Sequence, residues 1–134
     1  PFTPVLASSV SNAGASRPDR FKSGRIDHPG PARWFDTSFN VPDAAWGAPR
    51  QFTFGNSGRN VLRGPGRLNL DLSLFKVFPI LERVQLQFRA EFFNLFNTPQ
   101  FDLPFATIGS PGAGTVTSLV GNPRQIQFGL RLAF

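Results

Sequence analysis

Leu68-Asn69-Leu70-Asp71-Leu72-Ser73-Leu74 alternates leucine with a small polar residue without a break. A helix would scatter these leucines around its circumference, whereas a period of two sets them all on one face of a β-strand. After Pro79-Ile80-Leu81 the pattern returns: Val84, Leu86, Phe88, Ala90 and Phe92 alternate with Gln85, Gln87, Arg89 and Glu91. A last run sets Ile126, Phe128, Leu130, Leu132 and Phe134 against Gln127, Gly129, Arg131 and Ala133. The chain therefore reads as all-β, with long antiparallel strands over about 67–78, 82–96 and 125–134.

The rest of the chain has another character. Residues 1–66 carry Pro, Gly, Ser and Asn throughout with no sustained period, and read as a long irregular excursion with short β pieces such as Pro1–Leu6 and Arg50–Phe54. The stretch from Ser11 to Pro31 is expected to bury no core. Residues 97–124 form a second long loop, too long for a hairpin turn. Sixteen Phe, thirteen Gly and thirteen Pro, with no Cys, Met or Tyr, suit short apolar runs broken by turn formers. The chain shows no leader of its own and is expected to be either mature or cut.

Function classes narrow by composition. No run approaches the ~18 apolar residues of a membrane-spanning helix, while a spanning strand needs only ~9–11 of alternating character. The formal charge of +6 invites nucleic acid, but the basic residues are scattered singly rather than clustered, so no nucleic-acid partner is expected. His28 is the single histidine and has no Cys beside which to hold zinc. Asp19, Asp27, Asp36 and Asp43 lack calcium-loop spacing. The glycine-rich pieces Gly55–Gly66 and Gly109–Gly114 lack Gly-Lys-Ser/Thr and read as turns. With no Gly-x-Ser-x-Gly elbow, a non-enzymatic protein without cofactor is expected. Arg59, Arg63 and Arg67 form the most interesting basic group, a candidate contact for an anionic substrate or a lipopolysaccharide phosphate. The competing reading is a solvated or salt-bridged loop.

Alternation equally marks a soluble half-buried sheet. Three features favour lipid. Nothing else in the chain supplies a helix or second sheet to cover the apolar faces; loop lengths run long, short, long, as in outer-membrane barrels; and the opposite faces carry Arg, Asp, Glu and Gln, which suit a hydrated interior. Strands cross lipid only as a closed barrel, and three cannot close one, so the chain is expected to be part of a larger polypeptide. The first strand then descends to a three-residue periplasmic turn at Pro79–Leu81, the second rises, and the third descends to Phe134. Phe75, Phe78 and Phe134 fall at the inner interface, and Phe92, Phe93 and Phe96 at the outer. Avoidance of like charges sets Asp71 opposite Arg89 and Leu72 opposite Phe88.

The closing run Gln127-Phe128-Gly129-Leu130-Arg131-Leu132-Ala133-Phe134 resembles the terminal signal of bacterial outer-membrane proteins, carried by Gln127, Gly129, Leu132 and Phe134 and read by the barrel-assembly machinery. More closely, Phe54-Gly55-Asn56-Ser57-Gly58-Arg59-Asn60-Val61-Leu62-Arg63-Gly64-Pro65-Gly66, Asp71-Leu72-Ser73-Leu74-Phe75-Lys76 and Gln87-Phe88-Arg89-Ala90-Glu91-Phe92-Phe93-Asn94-Leu95-Phe96-Asn97 resemble the end of TonB-dependent, Oar-like receptors. Trp34-Phe35-Asp36-Thr37 is similar to a stretch preceding those motifs. The likeness runs over nearly the whole chain. It implies the last strands of a large outer-membrane barrel with long extracellular loops, preceded by a plug and a carboxypeptidase-regulatory-like domain. It also implies lipid and TonB as partners and an external substrate whose identity the residues do not encode. A passive or structural barrel, such as an adhesin or secretion partner, is the alternative, and a soluble basic β module that binds nucleic acid the third.

Overall fold

The computed structural model describes residues 1–8 and 16–134 and is all-β. The part of the Ser11–Pro31 reading that falls on residues 11–15 lies outside the described residues. The chain divides into two units, Pro1–Gly66 with Phe101–Ser118, and Arg67–Gln100 with Leu119–Phe134.

The first unit contains β1 (Val5–Leu6), β2 (Asp19–Arg20), β3 (Trp46–Gly47) and β6 (Thr107–Ile108). β1 pairs in parallel with β6, β2 antiparallel with β3, and single bridges join Phe2 to Leu62 and Phe39 to Trp46. Residues 1–66 are thus not a bare excursion. Phe2, Leu6, Phe35, Ala45, Trp46 and Leu62 bury a small core that Ile108 completes. Trp46 is fully buried, which requires a partner for its indole N–H; Nε1 donates to the Asp36 carbonyl. Within the Ser11–Pro31 stretch, Pro18 is fully buried and Gly24, at φ +71°, passes so close under Trp46 that any side chain there would strike the ring.

The second unit is a three-stranded antiparallel sheet of β4 (Leu72–Leu81), β5 (Val84–Phe93) and β7 (Gln125–Ala133), with β5 in the middle. β4 starts and stops later than its leucine pattern suggests, and β5 is shorter at both ends. The turn is Glu82–Arg83, not Pro79–Leu81, because Pro79 pairs with Gln85 inside β4. Proline is tolerated in such a strand beside a bulge, and the register shifts between Pro79 and Leu81.

The register follows the turn. Leu72 pairs with Phe92 rather than Phe88, and Phe75, not Asp71, sits opposite Arg89. The displacement is an even number of residues, so the faces survive it. The expected Asp71–Arg89 pair is replaced by two separate bonds. Arg89 Nη2 pairs with Glu91 on its own strand at 2.7 Å, and Asp71 Oδ1 accepts the Asn94 amide at 2.9 Å.

One face of this sheet carries Leu72, Leu74, Phe78, Leu86, Phe88, Ala90, Phe92, Ile126, Phe128, Leu130 and Leu132. Phe128 ties the β5–β7 seam, stacking with Phe88 at 6.2 Å and meeting Phe92 edge-on at 6.4 Å. Yet Phe128 and Leu130 remain 69% and 71% exposed. Full burial of a side chain of this size is worth roughly 1.5–3 kcal/mol, so the face gains most only when something apolar covers it. Lys76 interrupts the face, its ammonium 5.9 Å from the Phe78 ring centroid, one step toward the turn. The opposite face carries Gln85, Gln87, Arg89, Glu91, Gln125, Gln127 and Arg131. Phe75 and Phe93 fall on this polar face, which removes both from the expected aromatic girdles.

The two faces are distinguishable by substitution. Leu130→Arg should destabilise the membrane-inserted protein by roughly 2–4 kcal/mol, whereas Gln127→Arg, facing Glu91 across the β5–β7 pair, should cost little; denaturant titration in lipid vesicles reads both.

Candidate functional site

β7 brings three of the four candidate assembly residues into one strand. Gln127 lies opposite Glu91, Gly129 opposite Arg89 and Leu132 opposite Leu86, while Phe134 follows the strand and is 97% exposed. Gln127 and Gly129 share the polar face, and Leu132 the apolar one. Gly129 leaves room where a side chain would meet only the Arg89 Cβ at 3.9 Å, and a cavity of about 240 Å³ there is lined by Phe75, Gln87, Arg89 and Arg131.

The loop arginines are not brought together as one group. Arg59 and Arg63 belong to the first unit and Arg67 opens the second; all three are exposed. Among the described residues none of them enters an ion pair. Arg63 is fixed through its backbone, whose carbonyl accepts the Trp34 indole N–H at 2.9 Å.

The glycine-rich stretch around Gly55 is more than a turn. Gly55 crosses the Arg17–Pro18 backbone so closely that a Cβ would overlap it. Asn56 then clamps β2 from both sides, its side chain accepting the Arg20 amide and its own amide donating to Asp19 Oδ1 at 2.9 Å. Nearby, Asp36 accepts the Ser38 amide at 3.0 Å and pairs with Arg33 at 3.2 Å. Burial alone would raise its pKa, but the Ser38 hydrogen bonds and the Arg33 charge outweigh it and hold the carboxyl below its ordinary value.

In the second unit the sequence reading missed Asn94. It follows β5 at φ 50°, a left-handed conformation that asparagine tolerates better than most residues, and its side chain is buried. The Asn94 amide group donates to the carbonyls of Thr98 and Asn122, and its oxygen accepts the Thr98 amide at 3.1 Å. Asn97, at the same φ, accepts the Arg124 amide at 3.0 Å. These bonds join the end of β5 to the approach to β7 beside a cleft of about 410 Å³ whose lining mixes Asn94, Asn97 and Asn122 with Pro99, Leu119 and Val120. The usable signal was Asn-x-x-Asn directly after an alternating run.

A family model described as an outer membrane beta barrel domain matches residues 1–127. No curated protein and no solved structure shows a significant match.

Asn94→Ala should cost about 2–4 kcal/mol, the sum of three lost hydrogen bonds and a left-handed alanine. Asn94→Gly should recover only the backbone part. Hydrogen exchange of the Thr98 amide in the intact protein measures the local effect.

Proposed function

This chain belongs to the outer membrane beta barrel domain family and resides in the outer membrane, and on that premise we propose that it is part of the wall and loops of a TonB-dependent transporter importing an external substrate into the periplasm. The observation that carries the reading is the two-faced sheet, with an uncovered apolar side and a polar side bearing Gln, Arg and Glu. The first side suits lipid and the second a hydrated lumen. Three strands cannot close a barrel, so further strands must complete the wall. The asymmetry of connections fits a surface receptor: Glu82–Arg83 makes a tight turn at one end, while the connection from β5 to β7 contributes residues 101–118 to a separately cored unit. The resemblance to Oar-like receptors adds energy coupling, with TonB as the partner.

Deletion of the gene and deletion of the energy-coupling partner should abolish uptake of the same nutrient in a growth screen over defined sources. Uptake that survives loss of the coupling protein, or a deletion phenotype confined to surface adhesion or secretion, would replace transport with a passive or structural barrel.

We further propose that β7 and the residue after it present Gln127, Gly129, Leu132 and Phe134 to the barrel-assembly machinery. Phe134→Asp should lower the outer-membrane level of the full-length protein several-fold in fractionated cells, with unassembled chain accumulating in the periplasm. Unchanged levels would show that assembly does not read this aromatic.

A further inference from the structure

A cavity of about 310 Å³ in the first unit is lined by Arg25, Ile26, Pro29, Trp34, Leu62 and Arg63 among others. Its inner wall is made by the core itself, since Leu62 and the adjoining Phe35 are almost completely buried. The indole N–H of Trp34 donates to the Arg63 carbonyl at 2.9 Å, which orients the ring along the wall of the hollow. Gly24 cannot be elaborated to fill it, since a Cβ there would collide with Trp46.

Its charge is one-sided. Arg25 and Arg63 are exposed, and among the described residues neither guanidinium makes an ion pair or a hydrogen bond. Among the described residues no carboxylate lines the cavity; Asp27, between the lining residues Ile26 and Pro29, is exposed and is not part of the lining. Asp36, the nearest along the chain to Trp34, is already engaged by Arg33 and Ser38. Two arginines in the lining of a largely apolar hollow suit an oxyanion, which a guanidinium can grip bidentately, carried on a body that the indole and leucine can cover. A volume near 300 Å³ is the lower end for small-ligand sites and fits one compact molecule.

We propose that this cavity binds a small anionic ligand with a flat apolar body, its carboxylate or phosphate held by Arg25 and Arg63 and its ring system against Trp34 and Leu62. The assignment uses Arg63 from the loop group but replaces Arg59 and Arg67 with Arg25. It stands whether or not the barrel is coupled to energy.

Binding of 2-naphthoate to the full-length protein in detergent, followed by calorimetric titration, tests it with 2-naphthamide as the uncharged counterpart. The naphthoate should bind at least tenfold more tightly than the amide, and Arg25→Gln and Arg63→Gln should each weaken it about tenfold or more, as expected for loss of a charge-assisted bond. Both residues are exposed, so neither change disturbs the core, and Arg63→Gln retains the carbonyl that holds Trp34. Arg59→Gln should leave binding unchanged. Absence of binding, equal affinity for acid and amide, or indifference to both substitutions would overturn the site. Inorganic phosphate competing as well as naphthoate would overturn its aromatic half and point to a lipid headgroup phosphate.

Discussion

Every backbone N–H and C=O that enters hydrocarbon must bring its hydrogen-bond partner with it, and the second unit is organised around that requirement. β5 meets it completely, paired along its length with β4 on one side and β7 on the other. β4 and β7 meet it on one side each, and so define where further strands of the wall must attach. Even the departures from regular pairing respect it. Pro79, which has no N–H to give, stands beside the register shift, and where the ladder ends, Asp71 and Asn94 carry the bonding onward with their side chains.

The same sheet separates two solvents by parity alone. Residues one position apart on β7, such as Leu130 and Arg131, face opposite media. Arg89 and Glu91 neutralise each other along one strand, which leaves Arg131 as the unpaired charge of the polar face among the described residues. The first unit uses other means. Its strands are two residues long, and its order comes from a core of large side chains together with Asp19, Asn56, Asp36 and Ser38, whose side-chain oxygens accept backbone amides.

Period two made the three long strands, their faces and the all-β class legible in the sequence. The family places the chain in the membrane that those faces suit. The register was not legible, because the expectation for it rested on a charge pair, and such pairs on a solvated face are worth too little to outweigh turn geometry. A turn at Glu82–Arg83 moved the pairing, and Arg89 found Glu91 two residues away. The core of the first unit was illegible for a different reason. Phe2, Phe35, Trp46, Leu62 and Ile108 are far apart in sequence and follow no period, so only the folded chain brings them together. Arg25 was overlooked on similar grounds, since it joins Trp34 and Arg63 in lining a cavity only in the folded chain.

The parallel pair of β1 and β6 sets an order of events. Val5 aligns with Thr107 and Leu6 with Ile108, so two residues at one end of the chain wait for a segment synthesised about a hundred positions later. A contact of such sequence separation is entropically slow to form, and Ile108 is also the residue that completes the buried cluster. The connection between β5 and β7 is therefore the late step in ordering the first unit. Phe2 can close on Leu62 and Phe35 beforehand, but until β6 arrives Leu6 lacks its strand partner and the cluster lacks Ile108, which leaves that side of the core open to water and to other chains.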